Sequence, residues 1–178
     1  WDLRTEKLTR ILPKQEAGVT KLLPHPDGAR LLITLSDGSL RLFNLKDESW
    51  TAFVFGRQNG EQEPWVMYND QGYWDGSRDC DGLVAMVRGF ESWNIDQFAV
   101  RNNRPDLLQK GLGCTDVTLL EYYYGLWKKR IRRMGLQESE LAMDWEVPEA
   151  KIDSTKQSDK RVTLDIRLSC VTRSLRSY

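Results

Sequence analysis

The chain has 178 residues, 40% hydrophobic and 29% charged, and its 26 Lys+Arg balance its 26 Asp+Glu. That length supports one good core or two small ones. Zero net charge argues against a global field that draws in nucleic acid or an anionic membrane, and no apolar run reaches the roughly 18 residues of a membrane span. Three cysteines, Cys80, Cys114 and Cys170, are odd in number and widely spaced, without a C-x-x-C pair. This speaks against a disulfide framework or a zinc site and fits the reducing cytoplasm.

In chain order, residues 7–12 read as a strand. Residues 19–45 read as three strands joined by two tight turns. Pro26-Asp27-Gly28 makes the first turn and Ser36-Asp37-Gly38-Ser39 the second, since Pro presets φ and Gly accepts a positive φ. Leu31, Leu32, Ile33 and Leu35, then Leu40, Leu42, Phe43 and Leu45, place apolar groups on both faces, so both faces need covering. Residues 50–55 (WTAFVF) read as the outer strand of the same sheet, and 56–64 as a polar connector. The run PWVMYNDQGYWDGS at 64–77 reads as a hairpin with an aromatic face, its turn at Asn69-Asp70-Gln71-Gly72, and 83–87 (LVAMV) as a third strand.

Helices follow. Asn94 or Asp96 can cap one that runs to about Asn102. Arg104-Pro105-Asp106 restarts helix, with Pro in the first turn and Asp favouring the N-terminal dipole, until Gly111 or Gly113. Over 115–135, Leu120, Tyr124, Trp127, Ile131 and Met134 fall on one stripe of a helix that Thr115 or Asp116 caps. Residues 136–160, acidic and then polar, read as a linker. Finally Val162, Leu164, Ile166, Leu168 and Cys170 alternate with Thr163, Asp165, Arg167 and Ser169, the pattern of a half-buried strand whose sheet-mates are expected outside this sequence or in a partner.

An internal repeat organises the first third. WDLRTEKLT at position 1 aligns with FNLKDESWT at position 43, an offset of 42 residues, with Leu3/Leu45, Glu6/Glu48 and Thr9/Thr51 in common. A period of about 40–45 residues belongs to propeller repeats, and the chain here resembles a WD-repeat β-propeller. Trp1-Asp2 stands where that family ends its third strand, Phe43-Asn44 replaces it one repeat later, and Asp37 stands in the turn where the family has Asp. Residues 12–18 lack the family's Gly-His pair, so its usual side-chain network is incomplete. A closed propeller needs more blades, so the rest are expected on the same longer chain or on another one. The run W-V-x-Y-x-x-x-G-Y-W-D-G-S (65–77), with Asn-Arg-Pro-Asp-Leu-Leu at 103–108, is similar to a segment of large bacterial WD-repeat proteins. There a propeller is followed by this segment, by helices, by an immunoglobulin-like sandwich and often by a caspase-like cysteine peptidase domain. The resemblance implies a neighbourhood rather than a reaction.

The chemistry-bearing residues are few. His25 is the sole histidine; it sits in a His-Pro-Asp-Gly turn, and no cysteine has a neighbourhood that would lower its pKa. Asp75-x-Ser77-x-Asp79-x-Asp81 has ligand-like spacing, but Cys80 and Met86 stand where a calcium loop wants Gly and Glu. The basic run 128–133, with Tyr122, Tyr123 and Trp127 nearby, could bind phosphates, or simply complement the dipole at a helix C-terminus.

The expected fold is mainly β with a helical module. It comprises the end of a WD-repeat propeller (1–55), a β-hairpin and helical module (56–135), a linker (136–160), and the first strand of a truncated immunoglobulin-like sandwich (161–178). The expected role is a non-catalytic interaction and regulatory scaffold coupled to a caspase-like effector. It needs no cofactor, metal or small-molecule substrate, does not involve a membrane, and has a protein partner. The competing readings are a nucleic-acid module on 128–133 and part of a cysteine peptidase. The candidate interaction surface is Trp65, Tyr68, Tyr73, Trp74, Lys128, Lys129, Arg132 and Arg133.

Overall fold

Both tight turns form as their residues require. Gly28 and Gly38 take φ of 68° and 85°, and Gly28 and Gly38 N–H donate to the carbonyls of His25 and Leu35 at 3.0 and 3.1 Å. The computed structural model describes residues 2, 4–56, 63–141, 149–158 and 161–169. The chain divides into two units, Trp1–Trp127 and Lys128–Tyr178. The fold is mainly β, with every sheet antiparallel.

In the first unit β1 (Val19–Pro24), β2 (Arg30–Leu35), β3 (Leu40–Asn44), β4 (Trp50–Phe55), β5 (Trp65–Asn69) and β6 (Trp74–Gly76) form one six-stranded sheet in sequence order. The aromatic hairpin β5–β6 thus continues the sheet of β1–β4, and β4 is an inner strand rather than the expected outer one. The reason is that β4 pairs over its whole apolar length with β5, from Thr51↔Asn69 to Phe55↔Trp65. The edge strand β1 carries the features that discourage further pairing: Lys21, Pro24 and a register irregularity between Val19 and Lys21.

Residues 7–12 correct another expectation: they contain no strand, only an isolated bridge between Asp2 and Lys7. Even so, the two aligned segments share a turn in three dimensions. Glu6 and Glu48, equivalent in the repeat, are the two non-glycine residues at positive φ among those described, at 53° and 64°. Asp2 N–H donates to the Lys7 carbonyl and Asn44 N–H to that of Ser49, at 2.9 and 2.8 Å. Asp2 and Asn44 side chains accept from Arg4 and Lys46 N–H, both at 2.9 Å. The repeated sequence therefore encodes a repeated turn.

One face of the sheet holds two core clusters. Leu22, Ile33, Arg41, Ala52, Tyr68 and Trp74 form a single row across all six strands. Ile33, Leu35 and Phe43 pack with Leu12, Ala17 and Trp50 at one end; Val66, Trp74, Cys80 and Ile95 pack with Leu83, Met86 and Ala99 at the other. Complete burial of a side chain such as Phe43 or Val66 contributes about 1.5–3 kcal/mol. The cover for both ends is this chain's own 12–17 and 83–99 segments. The second segment holds β7 (Ala85–Arg88), which pairs not with β5–β6 but with β8 (Glu91–Asn94).

The helices start and stop where their caps stand. The Asn94 side chain accepts Asp96 N–H and opens a 3-10 turn (Ile95–Phe98) that runs into α1 (Ala99–Asn102). Pro105 begins α2 (Pro105–Gly111), which packs on β4 and β6. Arg30 donates to the Leu112 carbonyl at 2.8 Å. Asp116 accepts Leu119 N–H at 3.1 Å and caps α3 (Val117–Arg133). Its far end closes through Leu136 N–H to Ile131 and Gly135 N–H to Arg132, both 3.0 Å. Trp127 and Ile131 of the expected stripe are buried, while Met134, beyond the last turn, is exposed. No described helix is long and apolar enough to cross a membrane.

The second unit corrects the linker. Residues Glu149–Ser158 are a strand, β9, paired from end to end with β10 (Arg161–Ser169). The strand expected to need an outside mate finds one twelve residues earlier, because Ile152 meets Ile166 and the polar residues of β9 match those of β10. Ser154 donates to Asp165, and Arg167 lies 2.9 Å from Asp153. Val162, Leu164 and Ile166 are 59, 46 and 55% exposed, so the strand is not half-buried. Cys170 and the remainder of the 161–178 segment lie outside the described residues.

Adding a Cβ at Gly76 puts it 2.7 Å from the Trp65 carbonyl and 2.7 Å from Cys80 Sγ. Gly76→Ala is therefore expected to destabilise the chain by about 1–3 kcal/mol in urea unfolding. Gly111→Ala, with open space at that position, is expected to be neutral or stabilising by up to about 1 kcal/mol. Hydrogen bonds from Ser39 and Ser49 hold the Asp37 and Asp47 carboxyls below the usual carboxylate range. Because the folded pKa is depressed, the stabilisation is present above the unfolded value near 3.9 and is lost as pH falls through the folded one. Replacing both by Asn should shrink the drop in urea midpoint between about pH 5 and about pH 2.

Candidate functional site

The residues 103–108 explain the aromatic hairpin. The main-chain carbonyl of Trp74 accepts Arg104 N–H at 3.1 Å and the Asn103 side-chain amide at 3.2 Å. The neighbouring Asn102 amide donates to the Gly72 carbonyl at 2.9 Å. Together with the parallel bridge Trp74↔Asn103, these bonds close the β6 edge of the sheet. An edge left open would offer a row of unpaired N–H and C=O groups.

Arg104 then ties this edge to the helices. Its Nε and Nη2 donate to Asp106 Oδ1 and Oδ2 at 2.9 and 2.7 Å, with the side chains only 11% and 8% exposed. The guanidinium lies 4.0 Å from the Trp127 ring centroid, 5.6 Å from that of Tyr124 and 5.9 Å from that of Tyr73. Trp127 stacks on Tyr124 and donates through Nε1 to the Val100 carbonyl at 2.8 Å. A desolvated cation on aromatic faces is stabilised by about 2 kcal/mol. The bidentate pair supplies the lone-pair satisfaction that a buried carboxylate requires.

A second polar cluster sits in the middle of the core row. Arg41 is 5% exposed and lies 4.4 Å from the Trp50 ring centroid, beside Tyr68, which meets Trp50 edge-on at 5.8 Å. Ala52, between Arg41 and Tyr68 in the row, is small enough to leave room for both. Burial pushes the Tyr68 hydroxyl up, and the Arg41 charge partly offsets this. Arg41 donates to Gln15 and Glu16, both at 3.1 Å.

The expected interaction residues therefore separate. Trp74 is buried; Tyr73 belongs with Arg104, and Tyr68 with Arg41. Trp65 is half-buried, its N–H bonded to Ser77 Oγ at 3.0 Å. Of the four only Trp74 is buried; Trp65, Tyr68 and Tyr73 are half-buried. Lys129, Arg132 and Arg133 are exposed and Lys128 is half-buried, all in the second unit.

The remaining candidates are held by local bonds. His25 Nδ1 lies 3.1 Å from Asp27 Oδ2. Ala29 N–H, with Arg30 and His25, holds the Asp27 carboxyl far below the usual range. Burial pushes the Cys80 thiol up; Cys114 is half-buried. Asp81 accepts from Asn94, and Ser77 bonds Trp65. Among the described residues no group of three or more His, Cys, Asp or Glu could hold a metal ion. A cavity of about 40 Å³ lined by Arg30, Asn44, Ser49, Thr51 and Asp70 has room for a water molecule or two.

The side-chain roles of Arg41 and Arg104 escaped the sequence reading, although each left a signal. Arg41 is a charge in an apolar position of LRLF, and Arg104-Pro-Asp106 places a cation two residues from a carboxylate. Arg104→Ala, which leaves Asp106 buried without its partner, is expected to destabilise the chain by about 3–5 kcal/mol in urea unfolding. Arg104→Lys should recover only part of this, since an ammonium lacks the planar fork and stacks poorly. Compared with known protein families, curated proteins and solved structures, the chain matches none.

Proposed function

We propose that this chain is a non-catalytic interaction and regulatory scaffold, the end of a WD-repeat propeller with the module that follows it, serving an effector domain such as a caspase-like peptidase. The observation that carries this reading is the fate of its most specific motif. The Trp74 carbonyl takes the Asn103 amide and the Arg104 N–H, and the Arg104 guanidinium, paired with Asp106, lies beside Tyr73 and Trp127, which joins the sheet to the helices. Such a joint suits a part that positions others. The free, buried Cys80 with its raised pKa and the turn-bound His25 favour the same reading over a cysteine peptidase, and free thiols suit a cytoplasmic setting.

A nucleic-acid role draws support from the exposed Lys129, Arg132 and Arg133 at the end of α3. Two assays separate the readings. The scaffold should hydrolyse no peptide or ester substrate; activity lost in Cys80→Ala or Cys114→Ala would establish the peptidase instead. It should also bind a duplex DNA or single-stranded RNA probe only weakly. Tight binding that falls steeply with salt and drops on Lys129→Gln/Arg132→Gln substitution would establish the nucleic-acid reading.

A further inference from the structure

We propose that Arg41 is a carboxylate-binding site that receives an acidic side chain of a protein partner, and that Glu16 of this chain occupies it as an intramolecular stand-in. The inference rests on the scaffold reading and names the chemistry of the partner it takes.

The two arginines of the first unit make the argument by contrast. Arg104 uses the full side-on fork of its guanidinium, Nε and Nη2, on both oxygens of Asp106. Arg41 uses half of the same fork. Its Nη2 reaches Glu16 Oε2 at 3.1 Å and its Nη1 reaches Gln15, while its buried Nε has no hydrogen-bond partner among the described residues. An unsatisfied buried donor carries a free-energy penalty. A carboxylate that takes Nε and Nη2 together removes the penalty and forms the bidentate pair that recognises carboxylates best.

The present occupant is poorly suited to keep the place. The Glu16 side chain is 88% exposed while that of Arg41 is 6% exposed, so Glu16 remains largely in water and gains little from the buried cation. It belongs to residues 8–18, which have no helix or strand and lie over the sheet through Leu12 and Ala17. Trp50 and Tyr68 wall the guanidinium with aromatic surface, which lowers the local dielectric and strengthens any charge-assisted bond formed there. A charge on the core face of β3 also breaks the local pattern of the strand, as residues kept for recognition do.

The experiment uses the whole chain with 15N-labelled arginine, acetyl-Glu-Glu-Glu-amide as probe and acetyl-Gln-Gln-Gln-amide as control. Glu16→Gln removes the stand-in charge without touching the core. The expected result is a shift of the Arg41 Nε–H resonance with the acidic peptide alone, and about fivefold tighter binding to Glu16→Gln than to the parent chain, the worth of one partly exposed ion pair. Arg41→Lys, checked for an unchanged circular dichroism spectrum, should lose the binding; if it does not fold, the Nε–H resonance in Glu16→Gln decides alone. An Arg41 resonance that stays still, that moves equally with the glutamine peptide, or an affinity no higher in Glu16→Gln overturns the site. Any of these outcomes leaves the scaffold reading standing, because that reading falls on hydrolytic activity or salt-dependent nucleic-acid binding instead.

Discussion

The Arg104–Asp106 pair is the constraint on which the first unit depends. Neither group would be stable alone at its depth: a buried carboxylate without a partner is destabilising by several kcal/mol, and so is a buried guanidinium. Together, with Trp127, Tyr124 and Tyr73 around the cation, they form a neutral bidentate pair. The same residue's main-chain N–H bonds the Trp74 carbonyl, so one arginine closes a sheet edge with its backbone and anchors two helices with its side chain.

The sheet itself is built by a different economy of forces. Asx and Ser bonds in its loops fix the turns through neighbouring residues, as Asp37 with Ser39 and Asp47 with Ser49 illustrate. The recurring Asx bond, Asp2 with Arg4 and Asn44 with Lys46, accompanies the same sign of φ at Glu6 and Glu48. Between the turns, strand pairing extends as long as apolar residues find mates, and it stops at β6 because polar groups of 102–104 take up the edge. Short-range hydrogen bonding therefore sets the turns, and long-range hydrogen bonding sets where the sheet ends.

Arginine appears in two states within one unit. Arg104 is saturated by a rigid, buried carboxylate; Arg41, equally buried, is matched to a carboxylate on an irregular, exposed segment. The saturated pair ties two elements together, and the unsaturated one leaves the Arg41 Nε donor unfilled among the described residues. The second unit uses a third arrangement. Its hairpin keeps Asp153, Asp165 and Arg167 in cross-strand polar contacts, while Ile152, Val162, Leu164 and Ile166 stay exposed.

By itself the sequence determined the local elements. Gly at the turns, Asn94, Pro105 and Asp116 at the helix starts, and the apolar stripe through Trp127 act over a few residues, so their spacing announces them. The turn shared by the two aligned segments was legible for the same reason, since its own side chains close it. Tertiary structure alone decided which strand pairs with which. β5 joins β4 across a connector, β7 turns to β8, and β9 meets β10 inside a stretch that reads as linker, because pairing depends on registers and edges that no local pattern specifies. It also decided the fate of the aromatic motif. Composition alone did not say which aromatics are buried: Trp74 is, and Tyr73 meets Arg104, which arrives from thirty residues further along.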